Sequence, residues 1–412
     1  MQTRLPSALR ETPAGREAER ILRACVHCGF CNATCPTYQL LGDELDGPRG
    51  RIYQIKQLLE EGVASAATRT HLDRCLTCRS CETTCPSGVD YHHLLDIGRA
   101  EVLRRVPRPA AERLRRAALR RFLLSPRLFG GAVRLGRALR PLLPGALARR
   151  LPAPARAPRL PAPRHQRRML LLTGCVQPAL APDIDAATVR VFDRLGIGLQ
   201  PVAGCCGALE QHLDAPDAAL ARMRRNIDAW WPAITAGAEA IVVTASGCGA
   251  HLKDYGHHLR DDPAYAERAA RVAALARDPA EVLAGEDLGP FRRTDAPPVA
   301  CHAPCSLQHG QRLTGVVEDI LTRLGHPVLP VADAHLCCGA AGTYAFFQPD
   351  IATRLRDAKL ARLQAGGPTC IATANLGCQL HLAAASDVPV VHWITLLADA
   401  IIDAPSTTRS TP

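Results

Sequence analysis

Short apolar runs alternate with helical patterns through much of the second half of the chain. Residues 169–256 contain the runs MLLLT, LQPVA and IVVTA, and residues 297–395 contain PPVA, HPVLPVA and CIATA. Helical patterns, among them VRVFDRLG and VEDILTRLG, separate these runs. The alternation predicts parallel βαβ units, and its recurrence in the same order indicates an internal repeat. We therefore predict two α/β half-domains with parallel sheets, packed as a pair.

The remaining segments have helical periodicity without strand patterns. Residues 257–285 are polar and rich in Ala, so we expect helices there. The segment RIYQIKQLLEEG also has apolar residues at helical spacing, which predicts a helix that packs against a core. These apolar residues are Ile52, Ile55, Leu58 and Leu59.

Composition places the chain among globular proteins and raises one question. Of its 412 residues, 47% are hydrophobic and 22% are charged, the usual mixture for a folded chain. No apolar run reaches the roughly eighteen residues of a membrane-spanning helix, and the first residues lack the apolar stretch of a secretory signal. We therefore expect a cytoplasmic protein. Its eighteen cysteines would stay reduced there, so we expect them to serve metal or redox chemistry.

Positive charge is concentrated in one segment. Residues 102–168 carry 19 Arg and one acidic residue, Glu112, for a formal charge of +18. Since the whole chain has +11, the remainder has −7. Leu and Val recur every three or four positions here, which predicts short basic amphipathic helices. Two interpretations stay open: contact with an anionic membrane or an acidic partner, or an Arg-rich connector. The segment lacks the interleaved aromatic residues of a nucleic-acid site.

Eight cysteines near the N-terminus form two identical runs. Each has the spacing C-x2-C-x2-C-x3-C followed by Pro, the pattern of bacterial ferredoxins with two [4Fe–4S] clusters. Three cysteines of a run wrap one cluster, and the fourth ligates the other cluster. The predicted ligands are Cys25, Cys28, Cys31 and Cys85 for cluster 1 and Cys75, Cys78, Cys81 and Cys35 for cluster 2. Zinc sites also use C-x2-C pairs, but they need no triple run with a trailing Cys-Pro.

Each half-domain has four further cysteines just past the ends of predicted strands. The adjacent pairs Cys205-Cys206 and Cys337-Cys338 each precede a Gly, which allows a tight turn. Such a turn can aim two thiolates at one metal centre, and ligands bind at this edge of a parallel sheet. Four thiolates can hold zinc or an iron–sulfur cluster. The two sets are Cys175, Cys205, Cys206 and Cys248, and Cys305, Cys337, Cys338 and Cys378.

This second half resembles the cysteine-rich, or CCG, domain of the heterodisulfide reductase B subunit. Fusion of a two-cluster ferredoxin domain to two CCG domains resembles the iron–sulfur subunits of flavin-linked glycolate and anaerobic glycerol phosphate dehydrogenases. The chain is most similar to the glycolate oxidase (glycolate dehydrogenase) iron–sulfur subunit, and the similarity covers nearly its whole length. The segments that carry it are CVHCGFCNATCPTY, GPRGRIYQIKQLLEEG and DRCLTCRSCETTCPSGVDYHHLLDIGRAEV.

Each repeat departs from the heterodisulfide reductase pattern at one position. In that pattern the last cysteine begins a C-x2-C pair, which gives five ligands for a noncubane cluster. His251 and His381 stand where the fifth cysteine would be. A four-ligand cluster or zinc site stays open in each repeat, and so does the alternative of buried thiols without a metal. On the family pattern Cys301 is predicted to be a bystander beside the ligand Cys305, and Cys370, in a predicted buried strand, is predicted to be a small core residue.

Together these features predict an α+β multidomain protein. It has an α-helical bacterial-type 2[4Fe–4S] ferredoxin domain, a helical basic connector and two α/β CCG half-domains with parallel sheets. The predicted segments are 1–100 (ferredoxin-type domain), 101–168 (basic connector), 169–256 (first CCG domain), 257–296 (helical linker) and 297–412 (second CCG domain).

The resemblance implies an electron-transfer subunit of a flavin-dependent 2-hydroxy-acid dehydrogenase, above all one that converts glycolate to glyoxylate. Gly196-Ile197-Gly198 precedes a strand, so it is not a dinucleotide fingerprint. Hydride removal needs an organic cofactor. We therefore expect no flavin and no catalytic residue in this chain, and a FAD-binding partner subunit in a hetero-oligomeric complex. Electrons would pass from that partner to a quinone or another carrier.

Alternative functions, the location and the partners of the chain remain to be stated as expectations. A heterodisulfide reductase-like enzyme and a glycerol-3-phosphate dehydrogenase-type iron–sulfur subunit stay open as alternatives, although the missing fifth cysteines count against the first. The protein would lie in the cytoplasm, with peripheral contact of residues 101–168 to the inner face of the cell membrane as one interpretation. No nucleic-acid partner is expected.

Overall fold

The computed structural model describes residues 1–142 and 164–403. The predicted basic connector is therefore described only in part, because residues 143–163 lie outside this range. Residues 404–412 of the predicted second CCG domain also lie outside it. No helix within the described ranges is long and apolar enough to cross a membrane.

The N-terminal region is helical, as predicted. The apolar side chains predicted to face a core on RIYQIKQLLEEG are buried, and they pack against the long helix that follows the second cysteine run. Pro residues occupy the first turn of several helices, where a missing N–H costs nothing. The helices are α1 (Ser7–Arg10), α2 (Pro13–Ala24), α3 (Phe30–Ala33), α4 (Pro36–Leu41), α5 (Pro48–Glu61), α6 (Ala66–Asp73), α7 (Ser80–Thr84) and α8 (Tyr91–Arg105).

The described part of the basic segment forms two helices, α9 (Ala110–Leu123) and α10 (Pro126–Ala138). Arg108, just before α9, bonds Asp73 of the ferredoxin region and Asp214 of the first half-domain. This buried guanidinium therefore ties the connector to both neighbours. The part of the predicted basic connector that the structure describes is therefore helical.

Each half-domain contains a four-stranded parallel sheet, as predicted. The strand orders are β2-β1-β3-β4 and β6-β5-β7-β8, and every pairing is parallel. The strands are β1 (Arg167–Leu172), β2 (Ile197–Val202), β3 (Ile241–Val242), β4 (Ala276–Arg277), β5 (Val299–His302), β6 (Val328–Leu329), β7 (Cys370–Thr373) and β8 (Val390–His392).

Helices cover these sheets. They are α11 (Gln177–Leu180), α12 (Pro182–Arg194), α13 (Ala208–His212), α14 (Pro216–Thr235), α15 (Ser246–Lys253), α16 (Tyr255–His258), α17 (Ala266–Leu275), α18 (Pro279–Leu283), α19 (Val316–Arg323), α20 (Tyr344–Phe347), α21 (Pro349–Gln364), α22 (Leu376–Ala383) and α23 (Trp393–Asp403). A π-helical turn spans Ser306–Gly310. The α+β multidomain architecture is confirmed.

Strand β4 lies inside the segment predicted to be a helical linker. It pairs with β3 through Ile241 and Val242, so it completes the first sheet instead of only joining the half-domains. The sequence analysis missed this strand because it lies in the polar, Ala-rich residues 257–285, which predict helices.

One apolar core joins the two half-domains. It contains Leu171 of the first sheet and Val299 of the second, together with Phe192 and Trp393 from the helices between them. Helices α12 and α23 pack against each other across this core. The two sheets are therefore fixed as a pair, with their cysteine-bearing strand ends held in a defined arrangement.

Candidate metal centres

Five N-terminal cysteines line one pocket at the surface. Cys25, Cys28, Cys31 and Cys85 form the set predicted for cluster 1, and Cys81 of the second set also reaches this pocket. Burial, together with the neighbouring thiolates Cys25 and Cys85, raises the pKa of Cys31 to about 11. Thiols crowded in this way ionise together only beside a cation, so the donor set fits iron. Cys28 is exposed, which leaves one side of the group open to solvent.

The other four cysteines of the two runs are buried. They are Cys35, Cys75, Cys78 and Cys81, each less than a tenth exposed. Burial raises the pKa of Cys78 and of Cys81, and nearby thiolates, Cys35 among them, add to the rise. The hydroxyl of Tyr91 donates to Cys75 Sγ at 3.6 Å. This second thiolate-rich group therefore also fits an iron–sulfur cluster, in a drier setting than the first.

The crossed arrangement of the two runs follows from the packing of α3 against α7. Thr34 Oγ1 lies 3.0 Å from Thr84 Oγ1, one residue before Cys35 and Cys85. This contact brings the last cysteine of each run to the other group. The ligand sets predicted for clusters 1 and 2 stay predictions, and the arrangement of the thiols is compatible with both.

A buried cation beside the second group was missed in the sequence analysis. Arg51 is fully buried on α5, and its guanidinium forms an ion pair with Asp46 at 3.4 Å. It also donates to Thr37 Oγ1 at 3.2 Å, and that hydroxyl lies 3.3 Å from Cys35 Sγ. Helix α5 therefore does more than pack, because it puts positive charge next to the second group of thiols.

The first CCG site is a chain of four interacting thiols. Cys205 accepts hydrogen bonds from Cys175 and Cys206, and these bonds lower the pKa of Cys205. Cys206 also interacts with Cys248. Gly207 has φ +103°, a value that a residue with a Cβ rarely adopts. The predicted role of this Gly in turning the Cys-Cys pair is thus confirmed by the backbone.

The second CCG site repeats this arrangement. Cys305 Sγ lies 3.8 Å from Cys337 Sγ, and Cys338 contacts both Cys337 and Cys378. Gly339 has φ +89°, and a Cβ there would lie 2.6 Å from the Ala352 carbonyl oxygen. Four soft sulfur donors fit zinc or iron at each of the two sites.

The histidines that replace the fifth cysteine differ between the repeats. His251 is beside Gly207, and its buried Nε2 has no hydrogen-bond partner among the described residues. In contrast, His381 Nε2 lies 3.2 Å from the Ala352 carbonyl oxygen. Cys301 and Cys370 lie in strands β5 and β7, within the apolar core that joins the half-domains.

The second CCG site lies directly against the second group of N-terminal thiols. Cys78 shares one apolar cluster with Cys337 and Tyr344, and Cys305 packs against it. The Cys305 thiolate contributes to the raised pKa of Cys78. The hydroxyl of Tyr344 donates to the Arg74 carbonyl at 3.0 Å and closes this contact.

Comparison with known proteins decides the family. Residues 21–89 match the 4Fe-4S dicluster domain model, and residues 169–253 and 299–383 each match the cysteine-rich domain model called CCG. The chain is 55% identical to the glycolate oxidase iron-sulfur subunit of Escherichia coli (strain K12), over 97% of this chain and 99% of that protein. The chain belongs to the family of glycolate oxidase iron-sulfur subunits.

More distant relatives carry related names. The chain is 29% identical to the probable glycolate oxidase iron-sulfur subunit of Bacillus subtilis (strain 168), over 93% of this chain and 95% of that protein. It is 30% identical to lactate utilization protein A of Geobacillus thermodenitrificans, over 52% of this chain and 90% of that protein. Full-length similarity is therefore found with the glycolate oxidase subunits.

Membership of the glycolate oxidase iron-sulfur subunit family fixes the class of the protein. It is a subunit of an oxidoreductase complex, and its dicluster domain carries [4Fe–4S] clusters. The CCG cysteines are suited to further clusters.

Proposed function

We propose that this chain receives single electrons from a flavoprotein subunit that oxidises glycolate to glyoxylate, and passes them to a quinone or another carrier. Within the chain, Cys25, Cys28, Cys31 and Cys85 would hold one [4Fe–4S] cluster, and Cys75, Cys78, Cys81 and Cys35 the other. When bound, such clusters take up and release one electron at a time. The names of the full-length relatives support glycolate as the substrate of the complex.

One observation supports the order in which we propose that the electrons visit the groups. Cys78 packs against Cys337 and Cys305, so the second thiol group and the second CCG site share a water-excluding apolar contact. The two groups of thiols thus lie next to each other. The order we propose is cluster 1, cluster 2 and then the second CCG site.

The open side of the first group supports an entry point for electrons. Around the exposed Cys28, the large apolar side chains of Val26, Phe30 and Tyr53 are 66%, 61% and 46% exposed. Exposed apolar patches of this kind mark interaction sites. We propose that the flavoprotein subunit docks here, because this face is where its electrons would have the shortest way to cluster 1.

We also propose the domain segments 1–100, 101–168, 169–256, 257–296 and 297–412. In this division the segment 257–296 contributes strand β4 to the sheet of the first CCG domain. The chemistry of free thiols favours a cytoplasmic location. Exposed Leu114, Leu128 and Leu135 lie among Arg residues on α9 and α10, which supports peripheral contact with an anionic membrane. Sedimentation with anionic liposomes should then decrease as salt is added.

The test is glycolate-dependent reduction of the clusters in the complex. We would purify the chain anaerobically with its partner subunit, count iron and acid-labile sulfide, and follow cluster reduction by EPR after mixing with glycolate. We expect about eight iron atoms from the ferredoxin region, four per cluster, and their reduction within turnover. Cys28→Ala should remove one cluster and most transfer, whereas Cys370→Ala, in the core, should change neither. Unreduced clusters in an active complex would contradict the proposal.

A further inference from the structure

A buried polar pair distinguishes the second CCG repeat from the first. His302 lies three residues before Cys305, and the equivalent position in the first repeat, three residues before Cys175, is Leu172. Thr373 lies five residues before Cys378, and the equivalent position, five residues before Cys248, is Val243. Leu172 and Val243 are both buried. An imidazole and a hydroxyl therefore occupy positions that are apolar in the sister repeat.

The pair lies at the ends of two neighbouring strands. His302 of β5 and Thr373 of β7 are partners in the parallel register, and they are 2% and 0% exposed. His302 Nδ1 lies 2.9 Å from Thr373 Oγ1. Because this hydroxyl occupies Nδ1, it fixes the orientation of the ring and leaves Nε2 as the nitrogen available to another group.

Two thiols of the second CCG site meet this imidazole. A ring nitrogen of His302 and the sulfur atoms of Cys338 and Cys378 all lie within 4.8 Å of one another, and all three residues are buried. One nitrogen with two sulfur donors is a known ligand set for zinc. Metal-bound histidines also usually have their other ring nitrogen held by a second residue, the part that Thr373 takes here.

We propose that His302 is a nitrogen ligand of the metal centre in the second CCG domain, where it binds together with Cys338 and Cys378, and that Thr373 orients its ring. The inference rests on the proposed function only in that this site holds a metal. The extra ligand would come from a strand, because His381, at the position of the missing fifth cysteine, is directed to the Ala352 carbonyl. The first repeat has Leu172 at the equivalent place and would lack this nitrogen.

Four variants of the full chain, purified anaerobically with its partner subunit, test the inference. His302→Leu with Thr373→Val copies the Leu172–Val243 pair, which the same fold already accommodates in the first repeat. His302→Cys replaces the imidazole with a thiol. His381→Leu is the matched control, since its side chain is in the same repeat. Cys338→Ala identifies the metal that belongs to the second site.

The readout is the ligand atom on that metal. If the metal is iron, pulsed EPR compares protein from cells supplied with ¹⁴N- or ¹⁵N-histidine. If the metal is zinc, zinc X-ray absorption reads the ligand atoms. We expect a histidine nitrogen, at about 2.0–2.1 Å for zinc, in the wild type and in His381→Leu. It should disappear in His302→Leu/Thr373→Val and in His302→Cys. The reduction potential of an iron centre in His302→Cys should fall, because a thiolate adds negative charge.

Three results would overturn the inference: only sulfur ligands in the wild type, a histidine nitrogen that survives His302→Leu/Thr373→Val, or no metal lost in Cys338→Ala. Retention of about eight iron atoms in the ferredoxin region, four per cluster, shows that a variant has folded. Glycolate-dependent reduction of those clusters is recorded separately in the wild type. Its absence would contradict the proposed function alone, since the ligand assignment is measured without turnover.

Discussion

The two CCG repeats have the same strand order and cysteine spacing, but they contact the ferredoxin region through different chemistry. The first repeat is held by charges, because Asp254 pairs with Arg79 at 3.2 Å and with His92 at 3.3 Å. The second is held by apolar packing and neutral hydrogen bonds, among them Thr83 Oγ1 to His309 Nδ1 at 2.8 Å.

The two copies of a duplicated domain can therefore take different positions relative to the ferredoxin region. Both repeats retain a four-thiol site, yet the apolar contact brings Cys337 of the second repeat against Cys78. In the first repeat, the charged contact is made by helix residues beyond the cysteines. Docking chemistry, more than the cysteine pattern, therefore decides which site adjoins cluster 2.

Removing equivalent cysteines tests whether the two repeats contribute differently to electron transfer. We expect Cys337→Ser to slow electron delivery from glycolate to the acceptor at least about 100-fold, equivalent to about 2.7 kcal/mol in the barrier. The equivalent Cys205→Ser should slow it less than about tenfold. Steady-state acceptor reduction by the purified complex measures both. Equal losses would mean that the two repeats serve transfer alike.

Removing the buried cation should have the next largest effect. Arg51→Met removes one of the cations around the buried Asp46, which keeps its ion pair with Arg74 at 2.8 Å, so we expect a loss of about 1–3 kcal/mol in unfolding free energy. Cluster 2 should also have a lower reduction potential, because a positive charge beside its thiolates is gone.

Arg49→Met is the control. Its ion pair with Glu44 is about a third exposed and should contribute below about 1 kcal/mol. Chemical denaturation and EPR redox titration measure the two effects, and an unchanged potential would exclude the electrostatic role.

Equivalent glycines should respond unequally. An Ala at either position would be strained by roughly 1–3 kcal/mol. In Gly339→Ala the new Cβ would also lie 2.6 Å from a backbone oxygen, whereas in Gly207→Ala it would lie 3.3 Å from the movable His251 side chain. We therefore expect the larger loss of thermal stability in the second repeat. The reverse order in calorimetry would show that the first turn is the more tightly constrained.

The two contacts should also differ in the sign of their pH dependence. Burial lowers the pKa of His92, but hydrogen bonds to Asp254, Asp90 and Glu82 outweigh it and raise the pKa to about 11. Its stabilisation is full below the ordinary histidine pKa of about 6.5 and is lost as pH rises toward 11. Burial lowers the pKa of His309, so stability at the second contact decreases as pH falls below about 6.5.

Unfolding of His92→Gln and His309→Gln across pH measures these slopes. His92→Gln should flatten the alkaline side of the stability curve, and His309→Gln the acid side. If neither variant changes the shape of the stability curve, the titration of His92 and His309 does not contribute to the stability of the two contacts.

Much of the architecture could be predicted because it depends on strong local patterns. The cysteine runs, the repeated strands such as MLLLT and CIATA, and the Gly after each Cys-Cys pair all agree with the structure. Two elements escaped. Strand β4 lies in an Ala-rich segment that predicts helices, and the three residues of β8 lie outside the apolar runs that predict strands.

The surroundings of the sites could not be predicted in the same way. Arg51 stands on a helix next to apolar positions, and sequence alone does not tell whether it points to solvent or to Asp46. His302 lies just past the apolar run PPVA. Its closeness to Cys338 depends on the pairing of β5 with β7 and on the turn that carries the cysteine pair. Such residues become visible only when distant segments are brought together.

The solvent-facing mouth of the first cysteine pocket has a consequence for how the subunit survives in an aerobic cell. Molecular oxygen and peroxide attack iron that they can reach, and Cys28 lies at the exposed edge of that pocket. A solitary subunit would thus be damaged there first, while the group around Cys78 stays shielded. Covering this face by a partner during synthesis would act as protection, so the order in which the complex is assembled would matter for its lifetime.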